Sequence, residues 1–156
     1  MDTQRTFSLR EAQRMLPELR ALLLSAKDQL DELASKVETA NKIYEQCSQD
    51  LDSLKPTKSK VKELRAQRAR FQQAIDDLSL AQQQYIDCLS TWIERISAEG
   101  VILRDIRTGL LDFPARDGHF EYFLCWRLEE KDIGYWHQVN DGFVGRRPLA
   151  VLAEYV

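Results

Sequence analysis

The sequence has no run of about 18 apolar residues, so we expect no membrane-spanning helix. Its first residues are charged or polar and lead into an amphipathic segment, without the apolar core of a signal peptide. The net charge is only −3 at pH 7, so the 156-residue chain provides no strong overall field for nucleic acid or acidic membranes. These absences favour a cytoplasmic protein without a membrane partner.

Cysteine and histidine are scarce. The three cysteines, Cys47, Cys88 and Cys125, lie far apart, and an odd count without paired spacing favours free thiols in a reducing compartment. The two histidines, His119 and His137, match no metal-ligand spacing with them. We therefore predict no metal, no cofactor and no catalytic residues.

Glycine is absent before Gly100, and apolar residues recur every seven residues over the start of the chain. They form two seams without charge: Leu9, Leu16, Leu23, Leu30, Val37, Tyr44 and Leu51, and Ala12, Leu19, Ala26, Leu33, Ala40, Cys47 and Leu54. This repeat predicts a coiled-coil-type helix over residues 8–54. Ser8 and Glu11 have the capping-box spacing. Pro17 predicts a kink or a split, and the unchanged register favours the kink.

A second helix is predicted over residues 58–99, between Pro56 and Gly100. Its apolar seam is interrupted at Arg68 and Gln82. Two long helices with a short connection predict an antiparallel hairpin. Four further apolar residues fall beside the seams: Leu22, Leu80, Ile86 and Ile93. A homodimer would cover them, and cover by the C-terminal region of the same chain is the alternative.

After Gly100 the spacing of apolar residues changes from the helical pattern to short alternating runs, which predicts a small antiparallel sheet. The expected strands cover 101–106, 110–114 (ended by Pro114), 120–127 and 133–137, with a hairpin turn at Asp117–Gly118. A sheet this small needs support, so one face should pack near Phe7 and Trp92. The predicted class is α+β: a long antiparallel helical hairpin over residues 1–100, followed by a small antiparallel β module over residues 101–156.

The β module concentrates arginine, aromatic and titratable residues, a composition typical of binding surfaces. The candidate partner- or ligand-binding residues are Arg107, Asp112, Arg127, Trp136, His137 and Arg146. The alternative is structural: Trp126 and Trp136 are core partners across strands, and Arg127 pairs with Asp112 or Asp105.

Two weaker sites lie in the same module. A nucleophilic thiol is geometrically possible if Cys125 and His137 lie on neighbouring strands, but Cys125 shares a strand face with Phe123, which favours a buried inert thiol. Residues 142–146 contain two glycines and an arginine that could approach a phosphate or carboxylate, but they match no phosphate-loop pattern and a simple turn is the alternative.

The predicted hairpin tip is basic. Lys58, Lys62 and Arg65 share one face by helical spacing, which makes this face a candidate for nucleic-acid contact. Pairing with acidic residues at the end of the first helix is the favoured alternative.

Several motifs occur in a characteristic order: Phe7-Ser8, Glu11-Ala12, Leu16-Pro17-Glu18-Leu19, Gly109-Leu110-Leu111-Asp112-Phe113-Pro114, Leu124-Cys125-Trp126-Arg127, Trp136-His137 and Gly142-Phe143-Val144-Gly145-Arg146. Together they resemble an uncharacterised bacterial family, domain of unknown function 2203. Leu128-Glu129-Glu130 departs from its pattern, which often has a Gly-Glu pair there. The resemblance implies a helical pair followed by a short aromatic module, and implies no reaction.

Three functions remain as expectations. The first is a non-enzymatic adaptor that binds an unknown protein partner through the aromatic and arginine residues. The second is a binding protein or enzyme for a small anionic ligand, with its site on the β module. The third is nucleic-acid contact through the basic tip.

Overall fold

The structure, a computed structural model, describes residues 4–54 and 61–156. Its helices and strands in that range are α1 (Leu9–Ser53), α2 (Val61–Ser97), β1 (Ile102–Asp105), β2 (Leu110–Asp117), β3 (Phe120–Trp126), β4 (Tyr135–Gln138) and β5 (Arg147–Pro148). Short 3-10 helices, Phe143–Gly145 and Leu149–Glu154, flank β5. The predicted α+β class and helical hairpin are confirmed. Residues 58–60 of the predicted second helix lie outside the described residues.

The start of α1 is fixed by its first turn. The Ser8 amide donates to Glu11 Oε1 at 3.2 Å, and the Glu11 amide donates to Ser8 Oγ at 3.1 Å. This is the reciprocal capping box that the spacing predicts. Pro17 lies inside one helix of 45 residues, so the alternative of two separate helices is wrong.

The chain divides into two compact units. The helical unit is Asp28–Ser90, and the sheet unit combines Met1–Lys27 with Thr91–Val156. In the helical unit, the rings of Tyr44 and Phe71 stack with centroids 5.4 Å apart, and Cys88 Sγ donates to Gln29 Oε1 at 3.7 Å. Tyr44 near the end of α1 contacts Phe71 near the start of α2, whereas the earlier Gln29 contacts the later Cys88, as an antiparallel hairpin requires.

In the helical unit the predicted seam residues of α1 are buried or half-buried, whereas burial on α2 departs from its predicted seam, whose first residue, Val61, is exposed. Ala74 and Ala81 are buried on α2, although the expected seam of large residues did not include them. The two alanines are seven residues apart and therefore lie on one face of α2. Leu80 and Ile86 remain exposed in the helical unit.

The five strands form one antiparallel sheet in the order β1-β2-β3-β4-β5. One face carries five fully buried apolar side chains, Leu111, Phe113, Leu124, Trp126 and Trp136. Within the sheet unit, Phe7 packs edge-on against Phe113 with ring centroids 5.4 Å apart. The expected packing near Phe7 is therefore confirmed, and this face is the hydrophobic core of the unit.

Arg20 of α1 anchors the connection between β3 and β4. Its guanidinium donates to the carbonyls of Leu128 at 2.6 Å and Glu130 at 3.2 Å, and it lies 5.2 Å from the ring centroid of Trp126. Leu22, on the same helix, is buried within this unit. Leu22 therefore does not need a second copy to cover it.

Two strand predictions are wrong. β2 does not end at Pro114 but continues to Asp117. The Pro114 carbonyl accepts a 2.7 Å hydrogen bond from the Phe7 amide. Pro114 lies beyond Leu110–Asp112, the part of β2 that pairs with β1. The missing N–H therefore removes no ladder bond. β4 begins at Tyr135, and β5 follows from a segment for which no strand was predicted.

Candidate functional site

A polar site lies on the sheet face opposite the hydrophobic core. β2 pairs with β3 so that Asp112 is opposite Cys125, and β3 pairs with β4 so that Phe123 is opposite His137. Because side chains alternate along a strand, all four lie on one face. Asp112, Cys125 and His137 are each at most 2% exposed. Their potential ligand atoms all lie within 4.8 Å of one another.

Both nitrogens of the His137 imidazole have partners. Nε2 lies 3.0 Å from Asp112 Oδ1, and Nδ1 lies 2.8 Å from the Gln138 carbonyl oxygen. A carboxylate and a carbonyl can only accept here, so each nitrogen donates and the ring is a cation. With both nitrogens donating, neither is free to accept a proton from the Cys125 thiol. This arrangement is not that of a nucleophile–histidine–aspartate triad.

Arg104 completes the environment of Asp112. Its Nε donates to Asp112 Oδ2 at 2.8 Å, and its guanidinium lies 5.3 Å from the ring centroid of Phe123. Each carboxylate oxygen of Asp112 therefore accepts from a different cation. Charge-assisted bonds of this kind offset the cost of burying the carboxylate.

The pKa values follow from this geometry. Burial raises the pKa of Asp112, but hydrogen bonds from His137 and Arg104 outweigh it and leave that pKa below its ordinary value. Burial lowers the pKa of His137, but hydrogen bonds to Asp112, Cys125 and the Gln138 carbonyl outweigh it and raise the pKa to about 10. Asp112 and His137 therefore form an ion pair at neutral pH.

A cavity of about 360 Å³ opens above these residues. Asp112, Cys125 and His137 are among its lining residues, together with Arg104, Leu110 and the segment 139–143. That segment includes part of the glycine-containing motif predicted as a possible anion contact. The cavity volume lies near the lower end of the range of small-molecule sites, which is about 300–1,000 Å³.

A second group of predicted residues forms an arginine–aromatic cluster beside the cavity. Arg146 donates to Glu130 Oε1 at 2.6 Å and to the Cys125 carbonyl at 3.2 Å, and its guanidinium lies 4.1 Å from the Tyr135 ring centroid. Arg127 pairs with Glu129 at 2.5 Å and lies 5.1 Å from the Phe143 ring centroid. The cluster holds the 3-10 helix Phe143–Gly145 against β4 and the β3–β4 connection.

The structure brings together only part of the predicted set. Asp112 and His137 share the cavity described above. Arg107 and Arg127 line a separate cavity of about 390 Å³ with Lys27. Trp136 is fully buried on the core face, where its Nε1 donates to the Pro148 carbonyl at 3.1 Å.

The predicted structural alternative for Arg127 is wrong, because Arg104 pairs with Asp112 and Arg127 pairs with Glu129. Trp126 and Trp136 do share the buried face, although Trp136 lies directly opposite Leu124. Arg104 is the site residue that the sequence reasoning missed. Arg104 is two residues after Ile102, which pairs with Asp112, and residues two apart on a strand point to the same face. This spacing was the available signal.

At the basic tip, Lys62 and Arg65 are exposed on α2. Lys58 lies outside the described residues. His119 is exposed in the β2–β3 turn, away from the buried cluster, as expected for a turn histidine.

The sequence matches the family described as uncharacterized conserved protein (DUF2203) over residues 5–149. The chain belongs to this family, and the resemblance seen in its motifs is confirmed. No curated protein and no solved structure matches the chain. Within residues 4–54 and 61–156, neither helix has a stretch sufficiently long and apolar to span a bilayer.

Proposed function

We propose that this member of the DUF2203 family binds a small polar ligand in the cavity above Asp112, Cys125 and His137. The observation that carries the proposal is the position of three almost fully buried titratable side chains at a cavity rather than within the apolar core. Burying such groups opposes folding unless each is paired, and clusters of this kind are concentrated at functional sites.

The lining defines the chemistry of the ligand. Arg104 and His137 contribute positive charge, while Asp112 and Asp141 contribute negative charge. The Asp112 carboxylate already accepts from both cations, and the Arg104 side chain is 44% exposed with further donors available. We therefore favour a small ligand with an anionic group that Arg104 can bind.

Two glycines provide a matched test. Gly142 lines the cavity, and a Cβ built on it meets nothing within 4 Å. Gly134 is equally open but lines no described cavity of the sheet unit. Gly142→Leu should fill the cavity without distorting the sheet, and Gly134→Leu should leave it open.

The measurement is the thermal midpoint in a panel of carboxylates, phosphorylated sugars, nucleotides and amino acids, because a ligand that binds the native state raises the midpoint. The proposal expects at least one compound to stabilise the wild type and Gly134→Leu but not Gly142→Leu. No response across the panel, or an equal response in Gly142→Leu, would overturn it.

We also propose self-association through the helical unit as a homodimer. Ile43 and Leu80 are 52% and 58% exposed, and both line an open groove of about 590 Å³ between α1 and α2. A second copy of the hairpin would cover these side chains in a four-helix arrangement. Leu80→Glu should then give monomers in sedimentation equilibrium, whereas the neighbouring exposed control Ser79→Glu should not. A monomeric wild type would contradict this proposal.

Adaptor function remains a proposal of narrower scope. Trp136 is buried and the Arg146 side chain is only 10% exposed, so a protein partner would contact Arg107 and Arg127 instead. Nucleic-acid contact through Lys62 and Arg65 remains a prediction whose test is steep salt dependence of binding. We propose a cytoplasmic location because all three cysteines are free thiols, and a reducing compartment keeps them so.

A further inference from the structure

We infer that Asp112, Cys125 and His137 bind one zinc ion at the floor of the sheet-unit cavity. Carboxylate, thiolate and imidazole are the three donor types that zinc uses in proteins. The three donor atoms lie within 4.8 Å of one another, and Asp112 Oδ1 is 3.0 Å from His137 Nε2. A tetrahedral zinc site separates such donors by about 3.3–3.6 Å, so only a small rearrangement is required.

The groups around these donors already have the arrangement of an outer coordination shell. His137 donates through Nδ1 to the Gln138 carbonyl at 2.8 Å, which fixes the ring with Nε2 directed at the other two donors. Arg104 binds Asp112 Oδ2 at 2.8 Å, which leaves Oδ1 as the inward oxygen. A histidine that ligates a metal almost always donates its second nitrogen in this way, and a ligating carboxylate is itself hydrogen-bonded.

The charges balance on exchange of protons for metal. In the metal-free site His137 carries a proton on Nε2 and Cys125 is a thiol. Zinc binding forms bonds from Zn²⁺ to Nε2, Sγ and Oδ1, and releases two protons to solvent. The net charge of the site is unchanged, because two protons leave as one divalent ion enters.

Three protein ligands leave a fourth position open, as in catalytic rather than structural zinc sites. The cavity lies over the donors, so this position would face the proposed ligand. The zinc site is argued from its three donors alone. Only the statement that a ligand group occupies the open position rests on the proposed function.

Cobalt(II) provides a direct test, because cobalt is coloured and a cobalt–thiolate bond gives a charge-transfer band in the near ultraviolet. The protein is stripped with a chelator and titrated with cobalt, then zinc. We expect one equivalent of cobalt to produce the band and zinc to abolish it. Cys125→Ser should remove the band, and His137→Gln should weaken binding at least tenfold.

The chain supplies matched controls. Cys47→Ser and His119→Gln change the same residue types outside the cluster and should bind cobalt like the wild type. Circular dichroism establishes that each variant is folded. If a cluster variant is unfolded, the wild-type titration and the Cys47→Ser and His119→Gln controls decide the outcome. Absence of a stoichiometric band in the wild type, or its loss in Cys47→Ser, overturns the zinc site.

The outcomes separate the two proposals. A ligand response that Gly142→Leu abolishes, without a cobalt band, overturns the zinc site alone. A cobalt band that depends on Cys125, without any ligand response, supports the zinc site and overturns the proposed ligand function.

Discussion

Asp112 and His137 contact each other across an intervening strand. Asp112 lies on β2 and His137 on β4, with β3 between them, and Oδ1 and Nε2 are 3.0 Å apart. Neighbouring strands are about 4.8 Å apart, so the two side chains together bridge about 10 Å over β3. They do so between Phe123 and Cys125, which occupy the same face of β3. This pair therefore links three strands of a small sheet.

Replacing His137 should destabilise the metal-free protein. His137→Gln removes a buried cation and leaves Asp112 with only Arg104 as a charged partner, so we expect a loss of about 2–3 kcal/mol in the free energy of unfolding. His119→Gln changes an exposed turn residue and should stay within about 0.5 kcal/mol of the wild type. Urea unfolding in the presence of a chelator measures both. Equal stabilities of the two variants would contradict the prediction.

The stability of the metal-free protein should fall as the pH rises above neutral. His137 has a pKa of about 10 in the native state, against about 6.5 when unfolded. Below pH 6.5 both states bind the proton and the contribution is complete. Between these pKa values only the native state keeps the proton, so stability is lost as the pH rises.

The groups that raise the pKa of His137 are Asp112 on β2, Cys125 on β3 and the Gln138 carbonyl, and Arg104 and Asp141 are the other charged residues that line the cavity. Other groups titrate in the same range, so the measurement is the difference between the wild type and His137→Gln from pH 6.5 to 9. That difference should shrink as the pH rises. A constant or growing difference would show that His137 is not a cation in the native state.

Arg146 should tolerate lysine poorly. Its guanidinium binds Glu130 and the Cys125 carbonyl while lying on the Tyr135 ring, a combination that needs a planar group with several donors. We expect Arg146→Lys to cost about 1–3 kcal/mol. Arg116, which pairs with Glu121 at an exposed position, is the control, and Arg116→Lys should cost less than about 0.5 kcal/mol. Thermal and urea unfolding of both variants test this contrast.

Two glycines of similar backbone conformation should respond differently to alanine. Gly109 has φ +67° and Gly118 has φ +60°, so each substitution strains the backbone by about 1–2 kcal/mol. At Gly109 the new Cβ would also lie 2.6 Å from Leu128 Cβ, whereas Gly118 has open space. Gly109→Ala should therefore lose roughly 2–4 kcal/mol and Gly118→Ala only the strain. Similar losses would indicate that the Leu128 contact relaxes without cost.

Part of the site was within reach of the sequence. The Asp-Gly signal locates the β2–β3 hairpin, but the turn residues are Gly118 and His119, so Asp117 pairs with Phe120 and Asp112 lies opposite Cys125. A turn centred on Asp117–Gly118 would have placed Asp112 opposite Phe123, on the same face of the sheet. His137 could not be placed in this way. Eight residues of irregular connection precede β4, and tertiary contacts of Arg20 with its carbonyls help to hold it. Arg104 was obscured because a register irregularity separates Leu103 from Asp105 in the β1–β2 pairing.

The helical periodicity was more informative, because a seam specifies a buried stripe without any long-range contact. It predicted α1 through Pro17 and the burial of Leu16, Leu23 and Leu30. It missed Ala74 and Ala81, since small residues carry little hydrophobic signal although they fit where helices approach closely.

The hydrogen bond between the Phe7 amide and the Pro114 carbonyl also has a bearing on aggregation. β1 pairs with Leu110–Asp112, so among residues 4–54 and 61–156 no strand lies beside the second half of β2 on that side. An uncovered strand edge can recruit a strand from another molecule. Here the carbonyl is occupied by Phe7 and the proline offers no donor, so the stretch is a poor template for intermolecular β-pairing. The residue that ended the strand in the sequence prediction thus helps to keep separate molecules from joining edge to edge.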